Sequence, residues 1–202
     1  ARYADDFLVG IIGSKQDALQ IKEDIKNFLA DKLALELSDE KTLVTHTKRP
    51  AKFLGYEISV RKSNEQRRDK RGRLRRTYGK RVCLNVSSET VRKKLFDLGV
   101  LEMANRNGKE IWKPKCKSGL IFNDDLEILD SYNREIVGFY NYYSIANNCA
   151  HALNNFSYIM EYSMYKTFAG KYKCRTRKVN KKYRKNGRFI VKHMTKTGVK
   201  ER

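Results

Sequence analysis

The residues with the clearest chemistry stand at the start of the chain. Asp5 and Asp6 close the string Arg2-Tyr3-Ala4-Asp5-Asp6 and directly precede Phe7-Leu8-Val9-Gly10-Ile11-Ile12. That apolar run is long enough for a strand and too short for a helix, so the acids are predicted on a turn feeding a buried strand at a sheet's rim. Neighbouring carboxylates repel one another and are costly beside apolar surface unless a cation is present. Hard divalent cations such as Mg²⁺ take oxygen ligands of this kind. A metal site is one reading, and a solvated acidic turn is the alternative that the pair alone leaves open.

The second chemically informative group is basic. The 202 residues carry 44 Lys and Arg against 23 Asp and Glu, a formal charge of +21. From Arg61 to Arg81 there are eleven basic and two acidic residues, and from Lys171 to Arg202 fourteen and one; the other 149 residues sum to about −1. Charge runs are commonly solvated faces, but two concentrated runs beside balanced segments point to a polyanion, either nucleic acid or an anionic membrane surface. No apolar run approaches the ~18 residues of a membrane-spanning helix, and the start does not resemble a signal peptide. Nucleic acid is therefore favoured over a membrane. The phosphate-contact candidates are Arg67, Arg68, Arg71, Arg73, Arg75 and Arg76 in the first run and Arg175, Arg177, Lys178, Lys181 and Lys182 in the second. Cys83, Cys116, Cys149 and Cys174 are too far apart for a zinc spacing or a compact disulfide framework, which suits reduced thiols in a cytosolic compartment.

The elements that must position these residues follow from periodicity. Ser14 and Asp17 form a capping pair before Ala18, Ile21, Ile25, Phe28 and Leu29 at helical spacing, predicting a helix of about 15 to 18 residues. Leu33, Leu35 and Leu37 alternate with Ala34 and Glu36, Ser38-Asp39-Glu40 turns the chain, and Leu43-Val44 opens another extended segment. Leu54, Tyr56, Ile58 and Val60 alternate as a further strand. The basic stretch after it, with Gly72 and Gly79 as turn points, is predicted as an extended β-hairpin or a partly disordered loop returning through Val82, Leu84 and Val86. Ser87 or Ser88 then caps a helix carrying Val91, Leu95 and Leu98 to a stop at Gly99. Asn107-Gly108 marks a hairpin-like excursion over 99–122. A long helix follows, with Asp124, Asp125 and Glu127 in its first turn and a stripe of Leu129, Tyr132, Ile136, Phe139, Tyr140 and Tyr143. Leu153, Phe156, Met160, Met164 and Phe168 mark another, ending near Gly170. The fold class is α+β: an α+β portion over 1–60, a basic hairpin or loop over 61–86, an all-helical bundle over 87–180 and a basic tail over 181–202.

Five strings carry a family resemblance. Tyr3-Ala4-Asp5-Asp6 is similar to the signature of reverse transcriptases. Leu37-Ser38-Asp39-Glu40-Lys41-Thr42 and Phe53-Leu54-Gly55-Tyr56-Glu57-Ile58 resemble the last conserved blocks of the intron-encoded members, in their order and spacing. Tyr132 through Tyr143, followed by Lys166-Thr167-Phe168-Ala169-Gly170-Lys171-Tyr172-Lys173, looks like the thumb, or maturase X domain, of group II intron-encoded proteins.

The resemblance implies part of a right-hand polymerase palm followed by the thumb. Asp5 and Asp6, with a third aspartate from an earlier strand, would hold two Mg²⁺ ions, with Tyr3, Ala4 and Lys41 near the active site. Phe53, Leu54, Gly55 and Tyr56 would act as the primer grip. The strand before the acidic turn and the strand with the third aspartate are expected outside this sequence, so the missing half of the palm is an implied partner and these residues alone are expected not to polymerise. In the thumb, Tyr132, Phe139, Tyr140 and Tyr143 suit a buried stripe, at least three of them in the core. Asn133, Arg134, Asn141, Tyr142, Lys171 and Lys173 are the RNA-contact candidates. The implied partners of the complete protein are intron RNA, an RNA template and a DNA primer, in a bacterial cytoplasm or an organelle.

Two function classes follow. One is an RNA-directed DNA polymerase that is also a maturase; the other is a splicing factor that clamps intron RNA without synthesis. A third reading, a reverse transcriptase of retron or diversity-generating type, is opposed by the thumb signature. No Cys/His nuclease motif follows the thumb string.

Overall fold

The computed structural model describes residues 1–61, 66–76, 81–195 and 198–202. They form two units, Ala1–Asn85 and Val86–Arg202.

In the first unit, β1 (Arg2–Tyr3) and β2 (Asp6–Phe7) make a short antiparallel hairpin in which Tyr3 faces Asp6, so, contrary to expectation, a two-residue strand before the acidic turn lies within this sequence. The expected buried strand over the following apolar run does not form. Only Phe7 belongs to a strand, Leu8 and Ile11 are half-buried, and Val9 and Ile12 are exposed. Leu8 returns its backbone bonds to Ala1 at the hairpin's open end, and among the described residues no further strand pairs with the run.

Helix α1 (Lys15–Leu33) starts where its cap predicts: Ser14 Oγ accepts from Asp17 N–H at 3.2 Å, and Asp17 Oδ2 accepts from Ser14 N–H at 2.7 Å. Ala18, Ile21, Ile25 and Leu29 form its half-buried stripe, Phe28 is exposed, and no side chain of the helix is fully buried. The strands expected at Leu33–Leu37 and Leu43–Val44 are absent: Leu33 ends α1 and residues 34–50 contain no strand. Alternation describes a half-buried ribbon only if a neighbouring strand supplies hydrogen bonds, and none pairs here among the described residues.

β3 (Ala51–Phe53) and β4 (Tyr56–Arg61) form a hairpin, so Leu54 is in the turn and not in a strand with Tyr56. Leu54 and Gly55 take φ of 51° and 76°, as a two-residue turn of type I′ requires at both positions. β5 (Gln66–Arg68) and β6 (Leu74–Arg76) pair antiparallel, giving the basic stretch the predicted hairpin. β7 (Arg81–Asn85) joins β4 and completes a three-stranded sheet in the order β3-β4-β7, with Ser59 opposite Cys83. Tyr56 is the one buried hydrophobic side chain of this unit among the described residues.

The second unit is built around one long helix. α2 (Ser88–Asp97) is capped by Ser87, whose Oγ accepts from Thr90 N–H at 3.1 Å, and the chain leaves it through Gly99 at φ 69°. β8 (Leu101–Arg106) and β9 (Lys109–Pro114) turn at Asn107-Gly108, a sheet element inside what reads as an all-helical bundle. α3 (Asp125–Tyr143) is capped by Asp124. α4 (Cys149–Lys171) then runs through the middle, burying Ala152, Phe156, Ile159, Met160, Ser163, Met164, Tyr165, Thr167 and Phe168 against α3, α2, β9 and α5. Phe139 of α3 stacks on Phe156 at 4.2 Å. The α3 stripe differs from expectation at two points: Ile128 is fully buried, whereas Tyr140 keeps 49% of its surface. Of the four aromatic residues expected there, Tyr132 and Phe139 are buried and Tyr143 is half-buried.

The C-terminal segment folds back on this frame. α5 (Thr176–Tyr183) crosses residue 180, β10 (Arg184–Lys185) pairs with β11 (Arg188–Phe189), and β12 (Lys192–Thr195) pairs with β13 (Gly198–Glu201). Val179, Tyr183 and Val191 are buried, and Arg202 Nε reaches Asp130 at 3.1 Å. The basic segment 181–202 is thus folded back onto the unit: a few apolar residues among the cations suffice to dock it.

Candidate nucleic-acid interface

The acidic hairpin presents Asp5 at its turn and Asp6 at the start of its return strand, both exposed. Arg2 Nε donates to Ala4 O at 2.9 Å, steadying a loop in which Ala4 takes a φ of 52°. Neither carboxylate has a hydrogen-bond or ion-pair partner among the described residues, so their oxygens are free for a ligand. As hard oxygen donors they fit a divalent cation in type. Among the described residues no third His, Cys, Asp or Glu joins them to complete a metal site.

Lys41 lies exposed in the turn after Asp39. Asp39 ties this turn to α1, with Lys22 and Lys26 each at 3.0 Å. Hydrogen bonds from those lysines, first Lys22, hold its carboxyl below the usual range. Phe53 ends β3, Tyr56 opens β4, and the turn's positive φ already accounts for Gly55.

The basic β-hairpin is shaped by Asp69. Its Oδ1 accepts from the backbone of Arg71 at 2.9 Å and Arg73 at 3.0 Å, while Arg75 Nε lies 3.3 Å from Oδ2. Arg68 closes the loop on Gly72 O at 3.1 Å. One buttressing acid thus holds a turn on which Arg68, Arg71, Arg73 and Arg75 are all exposed. The side chains of Arg67 and Arg76 lie outside the described residues.

In the second unit Asp125 is the organising residue. Lys171 Nζ lies 2.7 Å from Oδ1, Tyr172 Oη 2.6 and 2.7 Å from the two oxygens, and Tyr183 Oη 2.5 Å from Oδ2. Burial alone would raise the Asp125 carboxyl, but the hydrogen bonds from Lys171, Tyr172 and Tyr183 outweigh it and hold the group below the usual range. Both tyrosine hydroxyls are pushed up, by burial first and then by donating to Asp125. The carboxylate thereby fastens the N-terminus of α3 to the end of α4 and the end of α5.

This clamp distributes the candidate cations unevenly. Lys171 is half-buried and also donates to Asn123 O at 2.6 Å, so its ammonium is committed to the fold. Lys182 Nζ sits 4.6 Å from the ring centroids of both Tyr172 and Tyr183. Lys173, Arg175, Arg177, Lys178 and Lys181 are exposed, most of them on or beside α5. On α3, Asn133, Arg134, Asn141 and Tyr142 all face outward. Sequence reasoning placed Asp125 only as a first-turn acid and missed Tyr183; the apolar residues spaced through the basic run were the available signal.

Comparison with known proteins bears on both units. A family model described as type II intron maturase matches residues 79–201, and one described as reverse transcriptase (RNA-dependent DNA polymerase) matches residues 1–58. The group II intron-encoded protein LtrA of Lactococcus lactis subsp. cremoris is 43% identical over 172 residues, covering 85% of this chain and 28% of its own. The putative COX1/OXI3 intron 1 protein of Saccharomyces cerevisiae is 34% identical over 180 residues, covering 87% of this chain and 21% of its own. The chain thus spans between a fifth and a third of the length of these relatives.

Proposed function

The chain belongs to the type II intron maturase family, and from that premise we propose that it is the portion of a group II intron reverse transcriptase and maturase that grips intron RNA and assists its splicing. In the complete protein the first unit is the end of the polymerase palm and the second is the thumb. The observation that carries this reading is the Asp125 clamp beneath α5. It fixes a helix with exposed Arg177, Lys178 and Lys181 to the core of the unit that matches the maturase model. Cations held in fixed positions meet an RNA backbone with less ordering cost than cations on a free tail. Asn133, Arg134, Asn141 and Tyr142, outward on α3, add contacts to exposed bases or sugars.

DNA synthesis on an RNA template belongs to the complete protein. There Asp5 and Asp6 would hold Mg²⁺, which when bound would supply positive charge for the attacking 3′-oxygen and the departing pyrophosphate. The free carboxylates of the β1–β2 hairpin provide two ligands and need a third acid beside them. Lys41 contacts phosphate, and the turn at Phe53-Leu54-Gly55-Tyr56 holds the primer. The host compartment is the bacterial cytoplasm or an organelle.

The test is affinity for a group II intron RNA as a function of salt. Each phosphate contact releases counterions, so log affinity should fall with log salt by about 0.7–0.9 per contact. A salt-independent affinity, or none for intron RNA over a random transcript, sinks the proposal.

A further inference from the structure

α4 has an outward face that the reading above does not use. His151, Asn155, Tyr158, Tyr162 and Lys166 follow at three- and four-residue steps, forming one ridge along the helix, and all five are exposed. Tyr158 and Tyr162 keep 54% and 41% of their surface, with ring centroids 4.6 Å apart and planes at 41°. Four other tyrosines of this unit have engaged hydroxyls: Tyr132 with Ser163 and Thr167, Tyr165 with Glu161, Tyr172 and Tyr183 with Asp125. Neither Tyr158 nor Tyr162 has a hydrogen-bond partner among the described residues.

The pair is not loose. Tyr162 meets the edge of Tyr165 at 5.6 Å, and Tyr165 is buried and stacks on Phe189 at 5.6 Å. Tyr162 is therefore backed by the core, and Tyr158 packs against Tyr162. At one end of the ridge Lys166 Nζ donates to Pro114 O at 2.7 Å, which brings exposed Lys113 and Lys115 alongside. At the other, His151 Nε2 and Asn155 Nδ2 lie 3.3 Å apart, two small polar groups facing solvent.

The geometry points to this ridge as a stacking site for a few unpaired RNA nucleotides. The rings supply π-faces for bases, Asn155 and His151 supply hydrogen bonds to base edges, and Lys113, Lys115 and Lys166 supply charge for phosphates. The unit from Val86 on carries 24 basic and 11 acidic residues, so its charge complements a polyanion. The ridge holds no aliphatic residue, unlike a surface made for an apolar helix. Duplex RNA keeps its bases stacked inside and has no free face to offer the rings, so the site selects single strands or loops. This inference rests on the reading of the chain as an RNA-binding maturase and adds which form of RNA one face takes.

The experiment compares the 202-residue chain with Y158L/Y162L and Y158F/Y162F. The probes are an oligouridylate of about 15 nucleotides and an RNA duplex with the same number of phosphates. The leucine pair should weaken the single strand roughly 10- to 100-fold and leave duplex affinity unchanged, while the phenylalanine pair, which keeps the rings, binds like the parent. Equal losses on both probes, no loss on the single strand, or equal losses for the leucine and phenylalanine pairs would overturn the stacking site. A change in self-association with unchanged RNA affinity would overturn it in favour of a protein interface. Intact binding of both RNAs by the leucine pair refutes this site alone, whereas failure of the unmodified chain to bind either RNA refutes the maturase reading with it.

Discussion

Replacing Asp125 with Ala or Asn tests whether the clamp holds the basic helix. Asp125 and Lys171 keep only 18% and 20% of their side-chain surface, and the carboxylate takes three donors. A hydrogen bond to a charged group contributes about 1.5–3 kcal/mol, and removing one partner of a buried pair costs about 3–5 kcal/mol. Partial exposure lets water recover some of this, so the expected loss is about 2–4 kcal/mol. For a unit of this size that is a fall of roughly 5–20 °C in Tm.

The pH dependence gives a second reading. The folded carboxyl lies below its ordinary value, so its contribution is complete above the unfolded value of about 3.9 and is lost as pH falls through the folded one. The gap between parent and Asp125→Asn should close below about pH 4. Thermal unfolding followed by circular dichroism at pH 7 and pH 3, with RNA affinity on the same samples, measures both. An Asp125→Asn chain as stable as the parent at pH 7, or a gap undiminished at pH 3, would refute the clamp.

In a complete protein, Asp5→Ala or Asp6→Ala should abolish primer extension and leave RNA affinity within about twofold, because the proposed phosphate contacts lie elsewhere; extension surviving either change ends the catalytic assignment. Residues 1–202 alone should extend no primer with Mg²⁺ on any template, since two carboxylates lack a third ligand among the described residues; sustained synthesis would contradict this. Neutralising Arg68, Arg71, Arg73 and Arg75, or separately Arg175, Arg177, Lys178 and Lys181, should lower the salt slope by up to about 0.7–0.9 per residue and weaken all RNAs alike. Changing Arg134 or Asn141 should instead narrow the gap between intron RNA and a random transcript. An unchanged slope after both neutralisations removes the electrostatic argument.

Much of this protein was legible locally. Ser14 caps the helix that its position announces, Ser87 is the cap where Ser87 or Ser88 was expected, Asp124 caps the helix whose first turn it was expected to join, and Asn107-Gly108 makes the hairpin turn that its φ preferences favour. The strings around Asp5, Phe53 and Tyr132 were enough for the family, and uneven charge pointed to a polyanion. Caps and turns are satisfied by residues within a few positions, so sequence contains both partners. What depends on distant partners was decided only by tertiary structure. Alternation at Leu33–Leu37 could not reveal that no strand lies beside it among the described residues, and the charge of the last thirty residues concealed Val179, Tyr183 and Val191, which dock them. The α3 stripe did not reveal that Tyr140 faces out while Ile128 is buried, because the width of the buried arc is set by what packs against the helix. Nor did Lys171 look different from its basic neighbours. Its commitment to Asp125, 46 residues away in the chain, is a property of the folded geometry, since a charge-assisted hydrogen bond forms only where packing brings both groups out of water together.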